Sequence, residues 1–358
     1  VIPATPIRSI ALDDLDAPAL AEAAVLLRSG GLVAFPTETV YGLGADATNP
    51  AAVSRIFAAK GRPPTNPLIV HADGIDLARR CVAEWPKSAD LLARRFWPGP
   101  LTLVLPRSRI IPDVVTGGRA TVGVRVPAVA EARALIARVG RPLAAPSANR
   151  SNGISPTRAE HVSQDLNGRI DLILDAGPTA VGLESTVLDL TSDPPRILRP
   201  GPITADEIAE ALGFPVLPSS PTVAIASPGP AAASPGLMAV HYAPRTPAIR
   251  IEPGESPPPS PTGALLAVIV VGGEPRDLSE LEPCLRIDLP DPVAASKSLY
   301  DALHRCDSSE ADRILIRMPP DLPPWVAIRD RLRRATAPAE PGRAPGIRYD
   351  REDPRSYR

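Results

Sequence analysis

Lys60-Gly61-Arg62 sets two cations on either side of a glycine, after a helical stretch and ahead of Pro63-Pro64. Cations so spaced suit a phosphate or a carboxylate. They also suit a solvated helix C-terminus, where positive charge is favourable in any case. The chain has only three lysines, Lys60, Lys87 and Lys297, against 36 arginines, so a lysine here draws notice. Ser147 and Asn149 follow a short apolar run in PLAAPSANRSNGISPT, Pro142 to Thr157. Hydroxyl, amide and backbone N–H groups in such a loop fit an anion, and equally an ordinary turn. PTETVYGLGADA (Pro36 to Ala47), AKGRPPTNPLIVH (Ala59 to His71), TVGVRVPAV (Thr121 to Val129) and GLESTVLDL with RILRPG (Gly182 to Gly201) repeat the arrangement. Each puts small polar or cationic residues at the end of an apolar run, where α/β sheets carry their ligands.

Other chemistries lack their residues. There is no Walker loop and no G-x-G-x-x-G; Gly42-Leu43-Gly44 is too short a pattern to carry that meaning. No G-x-S-x-G elbow supports a serine nucleophile. Cys81, Cys284 and Cys306 are odd in number and widely spaced, which fits neither a disulfide framework nor a zinc site. His71 and His241 have no ligand cluster around them, and the acids Glu38 and Glu184 are far apart in sequence. The residues alone reach an anion-binding α/β protein.

These segments need elements to hold them. Apolar spacing predicts helices over 17–29, 50–59 (with Asn49 as N-cap), 88–96, 128–139 and 204–212. Strands are predicted over 32–35, 68–71, 101–105, 121–126, 143–145, 172–175 and 185–190. The interleaving argues α/β with a large mixed sheet covered by helices. Thirteen of the 47 prolines fall between Pro215 and Pro261, and this Pro-, Ser- and Ala-rich window reads as a linker. Beyond it, strands over 264–271 and 313–317 and helices over 294–305 and 325–334 describe a small layered α/β domain. The expected organisation is a catalytic domain over 1–215, a linker or lid over 216–262, a small domain over 263–336 and an irregular tail over 337–358.

The 358 residues carry a net charge of −1, with 44% hydrophobic and 22% charged residues, as in an ordinary globular protein. A globally basic nucleic-acid coat protein is excluded by that balance. No apolar run approaches membrane-spanning length. Without a visible signal peptide, and with unpaired cysteines, a cytoplasmic location is expected.

Taken in order, PTETVYGLGADA, KGRP with NPLIVH, VGVRVPAV, APSAN and ESTVLDL with RPG resemble the YrdC-like family. Over about Ser9 to Thr336 the chain is similar to the longer branch of that family, the threonylcarbamoyl-AMP synthases with an added C-terminal domain. HYAP (His241 to Pro244) and ASKSLYDALHRCD belong to the resemblance. Pro319-Pro320-Asp321-Leu322-Pro323-Pro324-Trp325 replaces the usual glycine-rich turn before the last helix. The resemblance implies a YrdC-like domain with a large twisted mixed sheet, followed by a small Rossmann-like α/β domain.

It also implies a reaction. L-threonine, bicarbonate or CO2, and ATP give L-threonylcarbamoyl-AMP and pyrophosphate, and partner transferase proteins pass the carbamoyl group to an adenosine of tRNA. Lys60, Arg62, Ser147 and Asn149 match the family's catalytic Lys-Arg-Ser-Asn set. Asn66, Thr121, Ser155, Arg199 and Tyr242 match further ATP contacts, with Tyr242 folding back from the linker over the nucleotide. Thr37, His71, Arg125, Ala145 and Ser185 match the threonine pocket. Mg2+ is implied with ATP, held by phosphate oxygens and water, with no metal site of the chain's own. Two other readings compete. A non-catalytic RNA-binding protein on the same fold fits a cationic concave site, but few interleaved aromatics (3%) weigh against it. A carbamoyl transferase of the kind that matures hydrogenases needs zinc-finger-like parts that three scattered cysteines do not supply.

Overall fold

The computed structural model describes residues 3–11, 14–219, 241–260, 262–273, 278 and 281–338. Most of the proline-rich window (220–240) and of the expected tail (339–358) lies outside the described residues. The described chain divides into two units. The first runs to Ser151 and again from Ser155 to His241; the second takes Asn152–Ile154 and the chain from Tyr242 onward.

The first unit is built in the order β1 (Ile7–Ser9), α1 (Pro18–Arg28), β2 (Val33–Phe35), β3 (Gly42–Asp46), α2 (Pro50–Lys60), β4 (Ile69–His71), α3 (Ile75–Arg80), α4 (Lys87–Phe96), β5 (Leu101–Pro106), α5 (Asp113–Thr116), β6 (Thr121–Arg125), α6 (Ala130–Val139), β7 (Leu143–Ala144), α7 (Ala159–Leu166), β8 (Leu172–Asp175), β9 (Thr186–Asp189), β10 (Arg196–Arg199) and α8 (Ala205–Leu212). Ten strands form one mixed sheet in the order β1-β8-β2-β3-β7-β4-β6-β5-β9-β10. Neighbours β4 and β6 run parallel with His71 opposite Arg125, whereas β5 and β6 run antiparallel. Leu20, Leu27, Val53, Ile56, Leu135 and Ile136, on the inner faces of α1, α2 and α6, share one apolar core with the sheet. Alternation in sequence passes over β3 because it contains Gly42 and Gly44. The packing requires them: a Cβ on Gly44 would stand 2.8 Å from the Phe35 ring.

Capping fixes where α2 delivers its cations. The Asn49 side chain accepts from the N–H groups of Ala51 and Ala52, and Pro50 occupies the first turn. Gly61, at φ 63°, ends the helix in a left-handed turn, and Arg62 N–H returns to Phe57 O. The glycine of Lys60-Gly61-Arg62 is thus a helix stop that sends its neighbours in different directions.

The second unit contains β11 (Ala248–Ile251), β12 (Leu266–Val271), β13 (Leu285–Leu289), α9 (Pro292–Asp307), β14 (Arg313–Arg317), a 3-10 turn at Pro323–Trp325, α10 (Val326–Ala335) and β15 (Ala337–Pro338). Its strands pair in the order β13-β12-β14-β11-β15, all parallel. This unit begins inside the stretch read as linker, because Ala248–Ile251 pairs with β14. It also takes up Ala337–Pro338, at the head of the expected tail, as an edge strand. Gly272 follows β12 with φ 64°, and a Cβ there would stand 2.5 Å from the Trp325 ring.

Candidate active site

Lys60 does not stay in solvent at the helix end. Its side chain is buried, and Nζ donates to Ser147 O (2.5 Å) and to Asn149 O. Burial, and then the neighbouring Arg62 guanidinium, hold its pKa well below the ordinary lysine value. Its own carbonyl accepts from Ser151 N–H (2.9 Å). The lysine therefore organises the loop after β7. That loop is held from the other side as well, since Leu43 N–H donates to Pro146 O and Ala148 N–H to Tyr41 O, 2.8 Å each.

Other cations stand near Lys60 and His241. Arg62 is buried, with Nε 3.2 Å from Asn66 O and Nη2 2.9 Å from Pro67 O. Arg199, from β10, donates through Nη2 to Ser185 O (2.9 Å) and Ser185 Oγ (3.2 Å). Ser185 Oγ also lies 2.8 Å from Thr102 Oγ1 on β5. Ser155 donates to Glu184 Oε1 at 2.6 Å, so that acid is already engaged. His241 lies in the field of Glu184, Arg62, Lys60 and Arg199. Burial dominates and takes its pKa down to about 3, the cations adding to the fall and Glu184 opposing it. A neutral imidazole in a cationic cluster leaves room for a polyanion.

A second group sits at the C-terminal ends of β4 and β6. Arg125 donates to Glu38 Oε1 (2.6 Å), Thr39 Oγ1 (3.1 Å) and Gly99 O (3.2 Å). Glu38 Oε2 in turn accepts from Ala128 N–H at 3.0 Å. Thr37 Oγ1 lies 2.9 Å from Thr39 Oγ1 and donates to Val40 O. Burial, then the Arg125 charge, bring His71 down to about 3. Ala145 N–H donates to Ile69 O, at the other end of β4. The expected threonine residues thus fall on adjoining strands and loops, with Ser185 beside Arg199.

A shallow cleft lies on one face of the neighbouring strands β4, β6, β5 and β9. Ile69, Val104 and Val187 give it an apolar floor, and Thr102 and Thr121 contribute hydroxyls. Arg119 also lines it. Among the described residues its terminal nitrogens are buried without a hydrogen-bond partner. Two left-handed glycines, Gly117 (φ 60°) and Gly118 (φ 82°), carry the chain to it. A Cβ on Gly117 would stand 2.7 Å from Thr65 O. Sequence reasoning missed Arg119; the signal was Gly117-Gly118-Arg119 just ahead of a strand. It also missed the partners of Glu38 and Glu184. Tyr242 is buried in the second unit, its ring beside Tyr300.

Residues 25–201 match the Sua5–YciO–YrdC family model, described as telomere recombination, and residues 203–337 match one described as threonylcarbamoyl-AMP synthase, C-terminal domain. The threonylcarbamoyl-AMP synthase of Pyrococcus abyssi is 43% identical over 323 residues, covering 88% of this chain and 93% of that protein. The chain belongs to the threonylcarbamoyl-AMP synthase family. The Bacillus subtilis threonylcarbamoyl-AMP synthase is 42% identical over 331 residues, with 89% and 93% covered. The crystal structure of P. abyssi Sua5 complexed with L-threonine superposes with a TM-score of 0.82 at 39% identity, covering 93% of this chain and 98% of that one. The mixed sheet followed by a parallel one is therefore this family's architecture. Among the described residues no helix is long and apolar enough to cross a membrane.

Proposed function

We propose that this chain makes L-threonylcarbamoyl-AMP and pyrophosphate from L-threonine, bicarbonate or CO2, and ATP, for modification of an adenosine in tRNA. The observation that carries this reading is the pairing of two adjacent groups on one sheet. Lys60 holds the loop of Ser147 and Asn149, Arg62 and Arg199 stand with it around His241, and the Arg125–Glu38 pair lies at the ends of β4 and β6.

In this reading the threonine amine adds to CO2 and loses a proton, giving a carbamate. A carbamate oxygen attacks the α-phosphorus of ATP, and pyrophosphate leaves. The chain supplies no nucleophile; it positions the reactants and neutralises charge. Arg62 and Arg199 face the phosphates, and the Ser147–Asn149 loop, held in shape by Lys60, lines their bed. Arg119 and Thr121 face the rest of the nucleotide in the cleft. Arg125 receives the threonine carboxylate, for which a planar guanidinium is suited.

Among the described residues no group of three or more His, Cys, Asp or Glu side chains is placed to hold a metal ion. The donors fit Mg2+ carried by phosphate oxygens and water, where it would offset charge on the leaving group. Transfer proteins that take up the product, and a cytoplasmic setting, belong to the same proposal. The deciding experiment is pyrophosphate release from ATP with each amino acid in turn, with and without bicarbonate. Release that requires both bicarbonate and L-threonine supports the reading. Release indifferent to either overturns it.

A further inference from the structure

Thr102 stands in the middle of the face that carries the candidate site. It lies opposite Val187 of β9. On its other side Val104 lies opposite Gly123 of β6, and Leu103 opposite Val124. Side chains two residues apart on a strand share a face. Thr102 and Val104 of β5 therefore share a face with Gly123 and Arg125 of β6. Ser185, one residue ahead of β9, is two residues from Val187 on the same face. The register thus sets Thr102 between Arg125 and Ser185.

Both ends of the Thr102 side chain have a fixed place. A Cβ on Gly123 would stand 3.1 Å from Thr102 Cγ2, so the methyl fills the space that this glycine leaves. Thr102 Oγ1 lies 2.8 Å from Ser185 Oγ, and both side chains are fully buried. Ser185 is pinned in turn. Arg199 Nη2 donates to its carbonyl (2.9 Å) and to its Oγ (3.2 Å). Gly201 passes so close that a Cβ there would stand 2.7 Å from Ser185 C.

The protons of this pair can be counted. Two hydroxyls carry two protons, and the bond between them uses one. Among the described residues the other proton has no acceptor. When Ser185 donates to Thr102, the Thr102 proton is left over. When Thr102 donates to Ser185, the Arg199 N–H and the Thr102 O–H fill both lone pairs of Ser185 Oγ. The Ser185 proton is then left over, on an oxygen polarised by a guanidinium. A ligand oxygen placed before Ser185 selects this second direction, because only then has Ser185 a proton to give.

We propose that Thr102 is a positioning residue that holds Ser185 Oγ as a hydrogen-bond donor toward the ligand bound over Arg125. Thr102 acts through Ser185 and touches no ligand atom itself. That the ligand is L-threonine rests on the function proposed above; the dependence of Ser185 on Thr102 does not.

The experiment uses the full chain. Thr102→Val keeps the shape and removes the hydroxyl, whereas Thr102→Ser keeps the hydroxyl and removes the methyl. Calorimetry with L-threonine, ATP and inorganic pyrophosphate, each alone, identifies the ligand whose affinity falls in Ser185→Ala. That affinity is expected to fall roughly three- to tenfold in Thr102→Val, the scale of one hydrogen bond. Thr102→Ser is expected to recover most of the loss. Adding Thr102→Val to Ser185→Ala is expected to change affinity by less than about twofold, since both remove the same interaction. If Thr102→Val fails to fold, Thr102→Ala set against Thr102→Ser isolates the same hydroxyl. Parent-like affinity in a folded variant without the hydroxyl overturns the proposal. So does a greater loss in Thr102→Ser than in Thr102→Val, which is the order that a packing role gives. Additive losses in the double variant overturn it as well, because Thr102 would then meet the ligand directly. The absence of any ligand whose affinity depends on Ser185 also overturns it. A parent that binds ATP through Ser185 but does not bind L-threonine overturns the proposed function instead, and Thr102 is then read on ATP.

Discussion

Arg125 Nη2 lies 2.6 Å from Glu38 Oε1, and both side chains are buried. The cation expected to meet a substrate carboxylate therefore already has an internal counter-charge, which fixes the guanidinium plane. Removing either partner strands the other charge in the interior. Arg125→Ala is expected to lower stability by about 3–5 kcal/mol and to raise the threonine requirement strongly. The double variant Arg125→Leu/Glu38→Leu separates the two effects. Denaturant unfolding is expected to show stability recovered in the double variant, while threonine titration still shows weak saturation.

Lys60 spends its ammonium on two carbonyls of the loop after β7. Lys60→Met keeps the stem and removes the donors. Turnover is expected to fall by at least two orders of magnitude, of the kind seen when an electrostatic donor is lost, with threonine binding little changed. Steady-state pyrophosphate release, compared with calorimetric titration of threonine, checks this. Equal losses in both would count against the loop as the seat of the charge.

His71 and His241 both sit at about 3 in the folded chain, against an ordinary value of 6.5. Between those values the unfolded chain binds protons that the folded chain does not. Stability is therefore lost as pH falls below about 6.5 and is insensitive to these groups above it, with a slope approaching roughly 1.4 kcal/mol per pH unit for each. Urea midpoints measured from pH 7.5 to 5 are expected to fall. In His71→Asn the fall is expected to be about half as steep.

Arg119 lines the cleft, and its terminal nitrogens are buried without a hydrogen-bond partner among the described residues. Arg119→Met keeps most of the apolar volume and removes the charge. KM for ATP is expected to rise roughly tenfold, the cost of one charge-assisted contact, with no loss of stability. An ATP titration monitored by initial rates, beside a thermal scan, distinguishes this from a structural role.

Gly272 leaves no space for a side chain under Trp325. Gly272→Ala is expected to destabilise the protein by about 1–3 kcal/mol from overpacking. The left-handed backbone adds roughly 1–2 kcal/mol more. Denaturant unfolding of the full chain measures it.

Much of the sheet and the cationic loop was legible in the sequence, because apolar spacing and turn residues act locally. Asn49, Pro50 and Gly61 announce α2 and therefore where Lys60 emerges. Ser147 and Asn149 follow β7 as read. What the lysine does there was not legible, since the carbonyls that claim it lie 87 and 89 residues away. The same distance hides Glu38 behind Arg125. β3 escaped because Gly42 and Gly44 answer to the Phe35 ring, a packing demand and not a propensity. β11 escaped because its four residues lie between Pro247 and Pro253, and composition over a 47-residue window averages them away.

The short excursion of Asn152–Ile154 into the second unit has a consequence for biosynthesis. Domains fold as units from the N-terminus during translation. A nascent chain that has emerged as far as His241 holds Lys60, Arg62, Arg125, Ser147, Asn149 and Arg199, yet lacks the elements on which Asn152 and Tyr242 settle. About 100 further residues must be added before β15 closes the second sheet, which at roughly 5–20 residues per second takes on the order of 5–20 s. During that interval Asn152–Ile154 wait without the strands and helices of the unit to which they belong. Folding of the second unit thus draws on a segment made long before the rest of it.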